Sequence, residues 1–144
     1  MQNKKENYKI FIFNSSKKKK LPIKKVSELI NGVLIGENIL SSEINVIYVD
    51  KDEILRLNVE YLNHNYYTDV ITFSLLEEEN RIEGEIYICV DVAEEQAEEY
   101  KVSLSNELSR LAIHGTLHLC GYDDKEEIGK KEMTNLENFY LGIQ

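Results

Sequence analysis

The stretch from Ser105 to Cys120, SNELSRLAIHGTLHLC, limits the folds open to this chain more than any other. On a helical wheel, Leu108, Leu111, Ala112 and Leu119, with Leu104 just before them, supply one apolar surface. Ile113, Leu117 and Cys120 supply another. A helix apolar around most of its circumference is largely buried. Ser105 is the expected N-cap, and Gly121 suits the position just past the C-terminus. The polar stripe left over is Glu107, Arg110, His114 and His118, and two imidazoles one turn apart in a buried helix need a reason.

Side chains four residues apart on a helix face the same way, which lets His114 and His118 converge on one ion. A third ligand must come from beyond the helix. Gly121 can take a left-handed conformation and turn the chain back, so that Asp124 reaches the same ion with a carboxylate oxygen. Two nitrogens and one oxygen leave a fourth position for water, the pattern of a catalytic rather than a structural site. The plainer alternative keeps both histidines as partly buried residues bonded to carbonyls or to Tyr and Glu neighbours. Asp123 and Asp124 then cap the following helix. The two readings are compatible, one aspartate capping and the other ligating.

Around this helix the chain alternates element types. YKIFIF, EINVIYV, VITFSLLE and EIYICV read as strands, the last two as an antiparallel pair joined by the acidic EENRIEG connection. PIKKVSELINGVLI, KDEILRLNVEYLN, VAEEQAEEY and KEEIGKKEMTNLENFYL carry helical spacing. Pro22 stands near the start of the first of these. Asp50 or Asp52 is positioned to cap the second, and Asp91 with Glu94 forms a capping-box-like start to the third. The expected fold class is α+β: a compact domain with a mixed sheet of about four strands packed by about five helices. With 144 residues, one proline and no repeat or linker, residues 1–144 read as a single domain.

The net charge of −9 argues against broad electrostatic attraction to nucleic acid. Lysines nevertheless cluster at Lys17 to Lys20, Lys24 and Lys25, a run that reads first as a solvated turn and second as a local phosphate-binding patch. Cys89 and Cys120 are far apart and read as reduced thiols of a cytoplasmic protein. The start, MQNKKENYKIFIFNSS, has too short an apolar core for a secretory signal, and no apolar run approaches a membrane span.

HGTLHLCGYDD resembles the H-G-x-L-H-L-x-G-Y-D-H signature of the YbeY-type endoribonucleases, bacterial rRNA maturation factors. LNVEYLNHNYYTDVITF, from Leu57 to Phe73, resembles that family's L-N-x-x-Y-R…T-D-V-L-S-F segment. GEIYICVDVAEEQA resembles its G-D-I-x-I-S…Q-A segment, and NELSRLAIHG its E-L…L-x-V-H-G. The resemblance implies a compact α+β fold related to zinc proteases. It also implies one zinc ion per chain held by His114, His118 and Asp124, and metal-dependent cleavage of single-stranded RNA. The setting implied is small-subunit ribosomal RNA maturation and ribosome biogenesis in the cytoplasm, with small-subunit proteins as candidate partners. Two positions depart from the pattern. Asp124 stands where the signature has histidine, a swap zinc tolerates but one that makes its bound water less acidic. Leu62 stands where the pattern has an arginine, so a guanidinium suited to phosphate is missing there. His64, two residues on, is a candidate substitute, and Tyr61, Tyr66 and Tyr67 are candidates to stack unpaired bases.

Other readings divide on single features. A zinc protease of the H-E-x-x-H type uses the glutamate after the first histidine as general base, and that position is Gly115. Two histidines and a carboxylate also suit a non-haem iron oxygenase, but no other feature of the chain supports one. The main alternative is a non-enzymatic ribosome-assembly or RNA-binding factor with a structural metal. No residue is singled out as general base.

Overall fold

The computed structural model describes residues 7–143, apart from the side chain of Glu77; the charged start of the chain lies outside them. The elements run β1 (Asn7–Asn14), α1 (Lys24–Gly36), β2 (Ser41–Val49), α2 (Lys51–Leu62), β3 (Val70–Glu78), β4 (Arg81–Cys89), α3 (Val90–Tyr100), α4 (Leu104–Leu119) and α5 (Glu127–Leu141). The sheet order is β1-β2-β4-β3, with β1, β2 and β4 parallel and β3 antiparallel to β4. The α+β class and the mixed four-stranded sheet are as the residue pattern predicts.

Each sheet face is covered by the residues whose alternation demands it. Ile44, Val46 and Tyr48 of β2 and Ile82, Ile86 and Ile88 of β4 point to one side, where Val26, Ile30 and Leu34 of α1 and Leu108, Leu111, Ala112 and Leu119 of α4 meet them. On the other side, Ile54 and Leu57 of α2 pack over Val49, Ile71 and Cys89. The second apolar surface of α4 goes elsewhere. Ile113 and Leu117 pack with Val33 and with Met133 of α5, so α4 lies between the sheet and an outer helix. This explains why the helix is apolar on two sides.

Several local expectations are corrected. Ser103, not Ser105, caps α4: its Oγ accepts from the Asn106 amide at 3.0 Å, and Ser105 lies inside the helix. Asp91 does not cap α3, which begins at Val90; its carboxylate accepts from the Lys51 amide at 2.8 Å, serving the first turn of α2. Asp50 holds the N-cap position of α2, but its carboxylate turns to the Lys17 amide. Neither Asp123 nor Asp124 caps α5, whose N-cap is Glu126; Asp123 instead accepts from the Lys125 amide two residues on. The acidic connection between β3 and β4 shrinks to Glu79 and Asn80, because the hairpin ladder continues through its charged residues with their side chains outside the core. Asn80 takes the left-handed turn position, with φ 66°.

β3 is an edge strand, and the ladder shifts register between Ser74 and Leu76. A bulge there twists an exposed edge out of regular pairing. It sits at the end of the strand segment that borders the histidine pair, where Val70 to Thr72 and Ser74 form one wall of a cleft.

Candidate metal centre

Two glycines let α4 lie close to the sheet. A Cβ on Gly115 would stand 2.8 Å from Ile86 Cγ2 and 3.0 Å from Thr72 Oγ1, and a Cβ on Gly84 would stand 2.8 Å from the Phe73 carbonyl oxygen and collide with Leu119. The protease comparison is therefore disfavoured on packing as well as chemistry, since the position after His114 faces a strand with no room for a glutamate. This close approach puts His114 and His118 at the cleft wall beside Val70 to Thr72.

The helix ends as its sequence predicts. Gly121 has φ 109°; its amide donates to the His118 carbonyl at 3.0 Å, and the Tyr122 amide donates to the Leu117 carbonyl at 3.1 Å. This is a Schellman termination, and it reverses the chain. Gly129 then fixes the returning loop from the other side, because a Cβ there would overlap the Asp123 carbonyl oxygen. Between these two glycines, Asp124 is delivered to the histidines.

The three predicted residues come together. His114 Nε2 and His118 Nε2 are 3.1 Å apart, and Asp124 Oδ2 lies 3.4 Å from the first and 3.7 Å from the second. Ligand atoms on a tetrahedron with bonds of about 2.0–2.2 Å are about 3.3–3.6 Å apart, so the trio matches a zinc-sized coordination face. The hydrogen bonds on the far sides of the rings settle the tautomers. His114 Nδ1 donates to Glu137 Oε2 at 2.7 Å, and His118 Nδ1 donates to the Tyr122 carbonyl at 3.0 Å. Neutral imidazoles protonated at Nδ1 carry bare lone pairs at Nε2. With both rings neutral, two lone pairs and a carboxylate oxygen face one point, an arrangement that a cation held among them satisfies. The partners of the plainer reading do exist, a Glu side chain and a backbone carbonyl, but they occupy the opposite nitrogens and orient the two rings.

Glu137, on α5 and 7 % exposed, holds this arrangement from behind. Its other oxygen accepts from Arg110 Nη1 at 3.1 Å, and Arg110 Nη2 donates to Asn138 at 2.8 Å. Burial pushes the His114 pKa down, but the hydrogen bond and charge of Glu137, helped by Asp124, outweigh it and raise the value overall. A carboxylate behind an imidazole makes the far nitrogen a stronger donor to a cation. Neither Glu137 nor Gly129 is signalled locally in the sequence, since each acts across a tertiary contact.

The cleft in front of the trio has a volume of about 420 Å³ and is lined also by Asn58, Leu62, His64, Tyr66 and Asp69. Buried Asn58 anchors its outer loop: its side chain donates to the Tyr66 carbonyl at 2.8 Å and its carbonyl accepts from the His64 amide at 3.0 Å. His64 stacks on Tyr66 with ring centroids 5.0 Å apart, and its Nδ1 is 2.9 Å from the Tyr66 hydroxyl. Leu62 borders the cleft, and no lysine or arginine does among the described residues. Of the three tyrosines considered for base stacking, only Tyr66 lines it. Tyr61 packs edge-on against Phe73, and Tyr67 lies beneath the Lys51 ammonium. The lysine run lies elsewhere, with Lys18 paired to Glu94 at 2.6 Å.

These features define an α+β protein with a candidate mononuclear metal centre at the end of a buried helix, open to a groove. The model of the family described as endoribonuclease YbeY matches residues 11–143. An endoribonuclease YbeY of Chloroherpeton thalassium is 42 % identical over 130 residues, 90 % of this chain and 92 % of that one. Its counterpart in Amoebophilus asiaticus is 36 % identical over 133 residues, 92 % and 90 % of the two chains. The solution structure of a Thermotoga maritima protein superimposes with a TM-score of 0.69 at 38 % identity, covering 92 % of this chain and 86 % of that one. The chain belongs to the endoribonuclease YbeY family. No helix among the described residues is long and apolar enough to cross a membrane.

Proposed function

We propose that this chain, acting as one domain, is a zinc-dependent, single-strand-specific endoribonuclease that works in the cytoplasm on small-subunit ribosomal RNA. The observation that carries the reading is the convergence of His114 Nε2, His118 Nε2 and Asp124 Oδ2, close enough together to share one ion, at the wall of an open cleft. Relatives sharing about two-fifths of its residues over nine-tenths of its length are named endoribonucleases, which supports the reaction class.

His114, His118 and Asp124 would hold the ion, and the N₂O donor set suits zinc. When bound, such an ion supplies Lewis acidity, polarising a phosphoryl oxygen and acidifying water. The chain's own residues do the rest. Glu137 and the Tyr122 carbonyl lock the two rings. The Asp124 side chain, 39 % exposed, leaves the front of the site accessible. His64, braced by Tyr66, stands on the cleft rim where its ring N–H can donate to a phosphate oxygen, and Tyr66 offers a face to an unpaired base.

The lack of lysine and arginine around the cleft favours a second reading, a non-enzymatic assembly factor with a structural metal. A three-ligand site facing a groove is the weaker fit to that role, since structural zinc sites are closed by four protein ligands. Incubating the protein with single-stranded RNA, with and without chelator and beside His118→Ala, separates the two. Cleavage lost in both treatments supports the nuclease. Cleavage that persists equally in all three samples eliminates it, and RNA binding without any cleavage supports the assembly factor.

A further inference from the structure

A separate cavity of about 300 Å³ shares Asp69, His114 and Asp124 with the cleft but is otherwise walled by α3, α4 and α5. Its volume is at the small end of ligand sites, enough for one planar ring system. Glu107 of α4 lines it. The residue is 3 % exposed, yet among the described residues its carboxyl accepts no hydrogen bond and joins no salt bridge. Burial pushes this carboxyl up, against the pull of Arg110. Arg110 does not satisfy it, because its guanidinium is committed to Glu137 and Asn138. The Glu107 carboxyl oxygens are not sealed off but face this cavity, so a ligand that enters can bring them the donors the protein does not supply.

The neighbouring groups restrict what that ligand is. Asp69, Asp124 and Glu137 make the cavity acidic, so a phosphate is repelled and a donor-rich uncharged group is favoured. Met133 and Tyr100 give it apolar and aromatic walls, and Lys130 also lines it.

On the reading above, that the adjoining site cleaves RNA, we propose that this cavity receives the guanine base of a nucleotide flanking the cleaved phosphate, its N1–H and N2–H donating to the two Glu107 carboxylate oxygens. Guanine alone among the four bases presents two adjacent N–H donors on its Watson–Crick edge. Adenine and cytosine place an acceptor beside the donor, and uracil sets one N–H between two carbonyls. Each of these turns a lone pair against the carboxylate. Lys130 is placed to meet the guanine O6.

Titration of the zinc-loaded protein with GMP, IMP and AMP tests this directly, since all three carry the same phosphate. GMP is expected to bind at least about tenfold more tightly than IMP, which lacks only the 2-amino group, and than AMP. Glu107→Gln keeps the shape but replaces one acceptor with a donor, and is expected to bring GMP to the IMP level, with circular dichroism checking the fold. If that variant does not fold, the three nucleotides on the unaltered protein decide alone. Equal binding of GMP, IMP and AMP overturns the proposal. Tight GMP binding without chelator-sensitive RNA cleavage keeps the guanine pocket and removes the nuclease reading. Chelator-sensitive cleavage with no preference for cutting beside guanine, and no GMP preference, removes the pocket alone.

Discussion

His114 Nδ1 lies 2.7 Å from Glu137 Oε2, across 23 residues of sequence and between two packed helices. That single bond fixes which nitrogen carries the proton, aims Nε2 at His118 and Asp124, and ties the centre to α5. Glu137→Gln keeps the side chain's size but removes its charge. Zinc affinity is expected to fall by about 10–100-fold, as for other groups that orient a metal-bound histidine. Competition with a chromophoric chelator measures it, and an unchanged affinity would show that Glu137 is only a packing residue.

Asp124 is the carboxylate that the chain reversal brings to the two histidines. Asp124→Ala is expected to weaken zinc binding more than Glu137→Gln does, because it removes a coordinating atom rather than a supporting one. Asp124→His restores a third donor and is expected to recover binding. Equal affinity for all three proteins would exclude Asp124 from the coordination set.

Gly129 bears on the same loop through its backbone. A Cβ there overlaps the Asp123 carbonyl oxygen, so Gly129→Ala must displace the backbone that positions Asp124. Ala is the better helix former by about 1 kcal/mol, which offsets part of the strain in overall stability. Zinc affinity is therefore expected to drop while the melting temperature moves by only a few degrees. A large loss of stability with full zinc affinity would contradict this account.

Alkaline pH tests a cluster behind the helix terminus. Glu37 accepts hydrogen bonds from Tyr122 at 2.8 Å and Tyr140 at 2.6 Å, near Cys120. Its hydrogen bond to Tyr122 pushes that phenol up to about 12, and burial, with the Glu37 charge, pushes the Cys120 thiol up to about 12. Groups with raised folded-state values bind their protons more tightly in the folded protein. The stability they contribute is full below their unfolded values, about 8.5 for cysteine and about 10 for tyrosine, and is lost as pH rises toward 12. Denaturant midpoints are expected to fall across that range. Glu37→Gln is expected to lower stability at neutral pH and flatten the alkaline decline. A midpoint constant from pH 8.5 to 11 would refute the assignment.

Much of this protein was legible along the chain. The period of apolar residues in α4 predicts burial on two sides, and the structure supplies the sheet for one and α5 for the other. The four-residue histidine spacing and Gly121 predict convergent rings and a chain reversal; the two Nε2 atoms come within 3.1 Å and Gly121 takes a positive φ of 109°. These features are local: helix period, backbone conformation and short-range spacing follow from residue identity within a few positions.

The caps show where local reading fails. Asp91 and Asp50 have the right chemistry at the right places, yet their carboxylates serve amides of other segments, because a short acidic side chain goes to whichever unpaired donor packing brings nearest. The same limit hides Glu137, Gly129 and the unpartnered state of Glu107. The sequence alone determined the class of fold, the buried helix and the identity of the three converging side chains. Only the tertiary structure decided which imidazole nitrogens face inward, what holds them there, and that a carboxyl beside them faces a cavity with no donor among the described residues. Those properties belong to contacts between elements, and no periodicity within one element encodes them.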